Sequence, residues 1–400
     1  MRKIVVMRPH EWLVASAQVG DFAVAAPELR NVGPAGVDFV AEAPVPVAGD
    51  FVLVADVADE AEEELLARDD VAGVFEDLEI APFPAVCPDD AVGTIDDVAT
   101  ALGVADLKSR GHTGLGVRIA IVDTGVDGKQ VRVSGGWSPW PGVTPGTATG
   151  GHGTMCAIDA QIAAPDAQIH DYPLLRASGS GGWVAFLSDG IRFFAEILGV
   201  MLRMPGPMVV SNSWGLYDRT GDAPVGHPQN YSANPAHPFN TITSALLASG
   251  ADVVFAAGNC GATCPAGRCG AGDIGPGNSI HGANSHPEVI TVGAVTVERQ
   301  LIGYSSQGPG GLAAEKPDLC GYAHFSAPSF DPSLHSGTSA AAPVVAGVVA
   351  ALRSNPAAVS LRPADLKAHL LAAAAPIDAA GWNPDTGHGL VDAPAIWNRL

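Results

Sequence analysis

"VRIAIVDTGVD", residues 117–127, decides the fold. Apart from Arg118 the run up to Val122 is apolar, without alternation of polar and apolar positions. It stops abruptly at Asp123, Thr124 and Gly125. A short run that is apolar on both faces suits a strand buried in a parallel sheet. The form returns in "PMVVSNSWG" (207–215), "ADVVFAAGN" (251–259) and "EVITVGAV" (288–295). Between these stand "GGWVAFLSDGIRFFAEILGVM" (181–201) and "FNTITSALLASG" (239–250), which read as helices. Strand–helix alternation predicts an α/β fold: a doubly wound, mostly parallel sheet with helices on both faces. Ligands bind such sheets beyond the carboxyl ends of the strands.

Upstream the pattern differs. "FVLVAD" (51–56) reads as a strand and "EAEEELLARDD" (60–70) as an amphipathic helix with acids in its first turn. "VAGVFEDLEIAPF" (71–83) reads as a further strand or a hairpin, and "PFPAVCPDD" (82–90) as a Pro-rich link. The chain is therefore divided into a small α+β unit with its linker, 1–90, and a large α/β domain, 91–400.

The 400 residues carry 42 acids against 21 Lys and Arg, a net charge of −21. Phosphate binding needs clustered cations, so nucleic acid is excluded as a partner. No run of about 18 uncharged apolar residues marks a membrane span. The N-terminal "IVVM" is too short for the apolar core of a signal peptide. The expected location is cytoplasmic, or outside by a non-classical route. Cysteines stand at 87, 156, 260, 264, 269 and 320, three of them in "GNCGATCPAGRCG" (258–270). Local disulfides or free thiols fit this spacing. Zinc would need a fourth ligand and tighter Cys-x-x-Cys pairs.

Three residues at strand ends and helix starts can carry chemistry together. Asp123 ends its strand, His152 sits in "GGHGTMCA" (150–157), and Ser339 sits in "SGTSAAAP" (336–343). Each alone has a plain structural reading: a turn acid, a satisfied histidine, a helix N-cap. Jointly they supply what a serine nucleophile requires, a base to take its proton and an acid to orient that base. Gly337 and Thr338 are expected to shape a tight turn before the serine, with Pro343 tolerated in the first helical turn.

On "VDTGVD", "GHGTMCA", "GTSAAAPVVAG" and "SSQGPG" (305–310) the chain resembles the subtilisin family of serine peptidases, from about residue 92 to 400. The order Asp, His, Ser is that family's. Met155 replaces the family's usual second histidine, which removes no proton-transfer group. Cys156, four residues after His152, resembles the proteinase K-like branch and should lie beneath the histidine. The resemblance implies a subtilisin-like fold preceded by an inhibitory prodomain, and an endopeptidase working through an acyl-enzyme. "FAAGNCG" implies Asn259 as an oxyanion donor beside the Ser339 backbone N–H. Read without the resemblance, Asn259 is a turn asparagine.

"RASGSGGW" (176–183) resembles the family's edge segment that pairs with an extended peptide. That implies Ser178, Gly179, Ser180 and Gly181 as contacts, with Trp183 walling a distal pocket; the plain reading is a flexible loop. "SNSWG" implies Ser213, Trp214 and Gly215 on the opposite edge and primary-pocket wall, with Ala257 and Gly258 beside Asn259. An apolar substrate side chain is expected. The chemistry requires no cofactor; calcium is common in the family, but the segment after Asp127 departs from its ligand pattern and no site is assigned. The implied partners are an extended peptide and the chain's own prodomain, on a monomer. Alignment puts self-cleavage after Phe83, but Pro84 is a poor leaving group, so a cut between Ala85 and Thr94 is expected.

Two other readings compete with this one. An α/β-hydrolase esterase would order its triad Ser, acid, His around G-x-S-x-G, and this chain does not. A degenerate, peptide-binding homologue would need a broken triad.

Overall fold

The computed structural model describes residues 1–83, 87, 90–179 and 182–399. The N-terminal unit is an antiparallel sheet of β1 (Arg2–Met7), β2 (Val37–Phe39), β3 (Val45–Val47), β4 (Asp50–Val57) and β5 (Val71–Glu76). Their order is β2-β4-β1-β5, with β3 paired to β4. Helices α1 (Glu11–Val19), α2 (Ala26–Val32) and α3 (Asp59–Leu66) accompany it. The strand β1 alternates as a half-shared strand should. Val5 and Met7 join Leu13, Leu29 and Leu65 in the unit's own core. Ile4 turns the other way, into a core shared with the large domain. The patch "IVVM" supplies the inner strand of this sheet.

The stretch 71–83 is neither one strand nor a hairpin. It breaks after β5, and β6 (Glu79–Pro82) joins a different sheet, between β11 (Trp183–Phe186) and β13 (Trp214–Gly215). The crossing is pinned at Asp77, whose carboxylate accepts from Ser188 N (2.9 Å), Ser188 Oγ (2.7 Å) and Arg2 Nε (2.6 Å). Leaving that buried acid in a regular ladder would forfeit those bonds.

After α4 (Ile95–Ala101) and α5 (Val104–Ser109) comes the main sheet. It comprises β7 (Arg118–Asp123), β8 (Val133–Gly136), β9 (Gln168–Pro173), β12 (Met208–Asn212), β14 (Asp252–Ala256), β15 (Ile290–Val295) and β16 (Leu319–Tyr322). The order is β16-β15-β14-β12-β7-β9-β8, and every neighbouring pair is parallel. A short strand β10 (Arg176–Ala177) borders β11. In β7, Ile119 and Ile121 face one core, with residues of α6 (His152–Ala163) and α9 (Thr338–Arg353). Ala120 and Val122 face the other, with residues of α7 (Leu187–Arg203) and α8 (Pro238–Ala248). A sheet apolar on both sides with helices over each is the doubly wound architecture.

The helix expected over 181–201 begins only at Leu187. Residues 183–186 are strand, and the turn into α7 is fixed by Asp189 Oδ2 accepting from Phe186 N–H at 2.9 Å. Cysteines close two disulfides, Cys260–Cys269 and Cys87–Cys264, which leaves zinc without its thiolates. Cys156 and Cys320 are free and buried. Among the described residues no helix is long and apolar enough to cross a membrane.

Candidate active site

Asp123, His152 and Ser339 meet at the carboxyl edge of the sheet. Asp123 is the last residue of β7, His152 the first of α6, and Ser339 the second of α9. Asp123 Oδ1 lies 2.7 Å from His152 Nδ1. That bond fixes the ring and leaves Nε2 as the base. Ser339 Oγ donates to the Phe83 carbonyl (2.8 Å) and approaches that of Ser213 (3.2 Å). Among the described residues His152 Nε2 has no partner. The serine–histidine bond is therefore not made while Ser339 Oγ donates to the Phe83 carbonyl.

Cys156 lies one helical turn below His152, as the spacing requires, with Sγ 3.9 Å from Nδ1 and 3.8 Å from Asp123 Oδ2. Burial, aided by the charge of Asp123, pushes its thiol far up the scale. A thiol held protonated is a poor metal ligand. Asp123, His152 and Cys156 are the one His/Cys/Asp/Glu group whose ligand atoms gather within 4.8 Å among the described residues.

Pro343 is not in the first turn. Helix α9 starts at Thr338, so the proline is interior and withholds the N–H that would reach the Ser339 carbonyl. That freed carbonyl accepts from Ser213 Oγ (3.0 Å) and Cys156 Sγ (3.5 Å). The proline thus hands the Ser339 backbone to its neighbours. Thr338 does more than shape a turn. Its N–H (3.0 Å) and Oγ1 (2.9 Å) both donate to Asn259 Oδ1, which orients the amide so that Nδ2 points outward. Nδ2 donates to the Phe83 carbonyl at 2.7 Å. Gly337 sits at φ 80°, and a Cβ there would collide with that same carbonyl oxygen.

The strand β6 lies in the cleft as a substrate would. Ile80 and Glu79 pair antiparallel with Ala185 and Phe186, while Pro82 and Ala81 pair with Trp214 and Gly215. Phe83 N–H donates to the Ser213 carbonyl at 3.1 Å, and Tyr217 Oη to that of Pro82 at 3.0 Å. The Phe83 ring is buried edge-on to Tyr217, centroids 4.9 Å apart. Gly215 and Gly258 flank it: Cβ atoms there would lie 2.7 Å and 3.5 Å from its Cζ.

Several expected contacts shift. The described pairing runs through Ala185 and Phe186, not Ser178 and Gly179. Ser178 instead closes its own loop with Gly182, and Ser180 and Gly181 lie outside the described residues. Trp183, two-fifths exposed, joins Trp140 and Arg176 around a cleft of about 540 Å³. Trp214 directs its side chain into the core. Its backbone pairs with Pro82, so its side chain alternates into the core, where Nε1 donates to the Val122 carbonyl at 2.8 Å. Ala257 is buried in the strand-end ladder, its N–H on the Val292 carbonyl. Tyr217 is absent from the sequence reading, which gives Phe83 only as the residue before the aligned cut and Thr338 only as a turn former. For Tyr217, the signal was present in its spacing of two from Gly215.

A sequence model of the subtilase family matches residues 114–389. Subtilisin E of Bacillus subtilis (strain 168) is 26% identical over 261 residues, covering 62% of this chain and 58% of that protein. The chain thus spans under two thirds of that relative's length. Alkaline elastase YaB of Bacillus sp. (strain YaB) is 28% identical over 382 residues, 87% of this chain and 86% of that one. Among solved structures, fervidolysin from Fervidobacterium pennivorans, described as a keratinolytic enzyme related to subtilisin, aligns with a TM-score of 0.67. The alignment covers 99% of this chain and 60% of that one at 20% identity, which speaks to the fold alone.

Proposed function

The chain belongs to the subtilase family, and from that premise we propose that it is a serine endopeptidase whose acyl-enzyme forms on Ser339. One observation carries the reading. The chain's own residues 79–83 lie as an added strand, with one carbonyl oxygen within hydrogen-bond reach of both Ser339 Oγ and Asn259 Nδ2.

In the proposed cycle Ser339 Oγ attacks the substrate carbonyl carbon and its proton passes to His152 Nε2. Asp123 holds the Nδ1–H tautomer and offsets the imidazolium charge. Asn259 Nδ2–H and the Ser339 N–H at the start of α9 receive the developing alkoxide. Collapse expels the amine, which takes the proton from Nε2. Water then enters, gives its proton to His152, and releases the acid and Ser339.

Residues 1–90 act as an inhibitory domain and linker, 91–400 as the catalytic domain. Phe83 marks where the residue preceding the cut bond sits. The two disulfides suit an oxidising compartment, favouring the exported side of the expected locations. Subtilase catalysis needs no cofactor. Among the described residues no three Asp or Glu carboxylates gather within 4.8 Å of one another, and no step depends on calcium.

The test is covalent. A fluorophosphonate probe, applied to the Phe83→Ala chain to open the cleft, should add one adduct, mapped by peptide mass to Ser339. Labelling that persists in Phe83→Ala/Ser339→Ala, or that maps elsewhere, refutes the proposal.

A further inference from the structure

Burying Phe83 leaves one polar atom of its pocket unsatisfied. Asn284, 3% exposed, stands at the closed end. Its Nδ2 donates to the Trp214 and Ala256 carbonyls, both at 2.9 Å. Those two acceptors fix the amide orientation, because a flip would set oxygen against oxygen. Oδ1 is then the atom left over, and among the described residues it accepts no hydrogen bond. A buried acceptor left without a donor costs free energy that a suitable ligand recovers.

The unmet oxygen lies near the tip of the ring. A Cβ built on Gly215 would lie 2.7 Å from Phe83 Cζ and 2.9 Å from both Oδ1 and Nδ2 of Asn284, so the ring tip and that amide border one small space. From the other wall, a Cβ on Gly258 would lie 3.5 Å from the same Cζ and 2.8 Å from Ser306 Oγ. The end of the pocket is therefore polar although its sides are not. Tyr217 covers the ring face-to-edge, and the two glycines leave a flat slot. Cζ is the carbon that carries the hydroxyl in tyrosine.

We propose that Asn284 is a specificity-determining residue, and that the primary pocket selects a para-hydroxylated ring, tyrosine above phenylalanine, at the residue preceding the cut bond. The inference rests on the peptidase reading for its meaning as substrate preference, but the pocket's preference is measurable without turnover. The tyrosine hydroxyl donates to Asn284 Oδ1 and satisfies it. Phenylalanine fills the same slot and leaves the oxygen unmet, so the chain's own Phe83 is a less than optimal occupant. A weaker occupant suits a domain that must leave.

The experiment uses the full chain carrying Ser339→Ala, so that no bond is cut. Hydrogen–deuterium exchange of the amides at 79–81 and 83 reports how tightly the strand is docked. Phe83→Tyr should slow that exchange roughly three- to tenfold, the worth of one net hydrogen bond. In the Asn284→Ala background the same change should give no slowing. Unchanged or faster exchange in Phe83→Tyr, or slowing that survives Asn284→Ala, overturns the proposal. Should Asn284→Ala fail to fold, the otherwise wild-type chain carrying Phe83→Ala decides the matter. It should cleave a peptide ending Glu-Ile-Ala-Pro-Tyr-p-nitroanilide with higher kcat/KM than the 4-methylphenylalanine analogue, which has the size without the donor. Equal or reversed values overturn the proposal. Exchange that slows as stated, together with no fluorophosphonate adduct on the Phe83→Ala chain that keeps Ser339, would keep the pocket and refute the peptidase.

Discussion

The side-chain nitrogen of Asn259 lies 2.7 Å from the carbonyl oxygen of Phe83. The same oxygen lies 2.8 Å from Ser339 Oγ. On the proposed reading, a residue of the N-terminal unit sits where a substrate carbonyl would sit, with a donor aimed at its oxygen. Asn259→Ala should lower kcat by about 10²–10³ with little change in KM, a magnitude carried over from the equivalent loss in a subtilisin. Thr338→Val should give a smaller loss of the same kind, because it frees the amide to rotate. Steady-state kinetics on one peptide substrate decides this. A change confined to KM would contradict the assigned role.

The occupancy of the cleft by Phe83 predicts how the chain is restrained. Phe83→Ala removes the buried ring, whose burial contributes about 1.5–3 kcal/mol, and should speed probe labelling of Ser339. Pro84 lacks the N–H and flexibility of an ordinary leaving group. Pro84→Ala should therefore hasten self-cleavage after Phe83, seen as a fragment beginning at position 84. The parent should cut more slowly, with its first new N-terminus between residues 85 and 95. N-terminal sequencing over time checks both, and equal rates in the two chains would rule out the proline as the brake.

The position of Cys156 under the His152–Asp123 bond predicts mercurial inhibition. Its thiol is neutral through the ordinary pH range because burial disfavours the thiolate, so alkylating reagents should react slowly. A compact mercurial that does reach Sγ should displace the imidazole and abolish turnover. Cys156→Ser, which preserves volume, should keep most activity and lose the sensitivity. Full activity after mercuration proven by mass would contradict the placement.

Asp171, on β9 beside the Asp123 strand, is buried, with Oδ2 accepting from Gly146 N–H at 2.8 Å. Burial lifts its carboxyl to about 6. Its pKa is raised in the fold, so the unfolded chain ionises first as pH rises. Stability should then fall between about pH 4 and pH 6 and stay lowered above, by up to ~3 kcal/mol. Asp171→Asn keeps an acceptor for Gly146 and removes the charge. Its thermal midpoint should match the parent near pH 4 and exceed it above pH 6. Asp189, also raised to about 6 by burial, keeps part of the slope in both chains. A variant less stable than the parent at pH 7 would contradict the assignment.

The parts legible in the sequence were those with a local signature. The run 117–123 is apolar on both faces because it lies between two helical layers, and its end is polar because it reaches the cleft. Asp123 ends a strand, His152 and Ser339 stand at helix starts, and Asn259 follows a strand end in a Gly-flanked loop, and each of these junctions leaves a local signature. What could not be read was orientation. Trp214 and Gly215 are adjacent, and only the pairing of β13 with β6 decides which side chain enters the core. Pro343 looks harmless until the helix start is known to the residue. Asn284 carries no local signal, since its importance comes from two carbonyls contributed by Trp214 and Ala256, 70 and 28 residues away in sequence.

The central claim is that peptide hydrolysis passes through Ser339, and casein turnover tests it most directly. Initial rates would be compared for Phe83→Ala and Phe83→Ala/Ser339→Ala chains of equal thermal stability. The account predicts that the serine variant loses more than about 10⁴-fold and keeps only a residual rate from binding and the oxyanion donors. Equal casein cleavage by the two chains would contradict it.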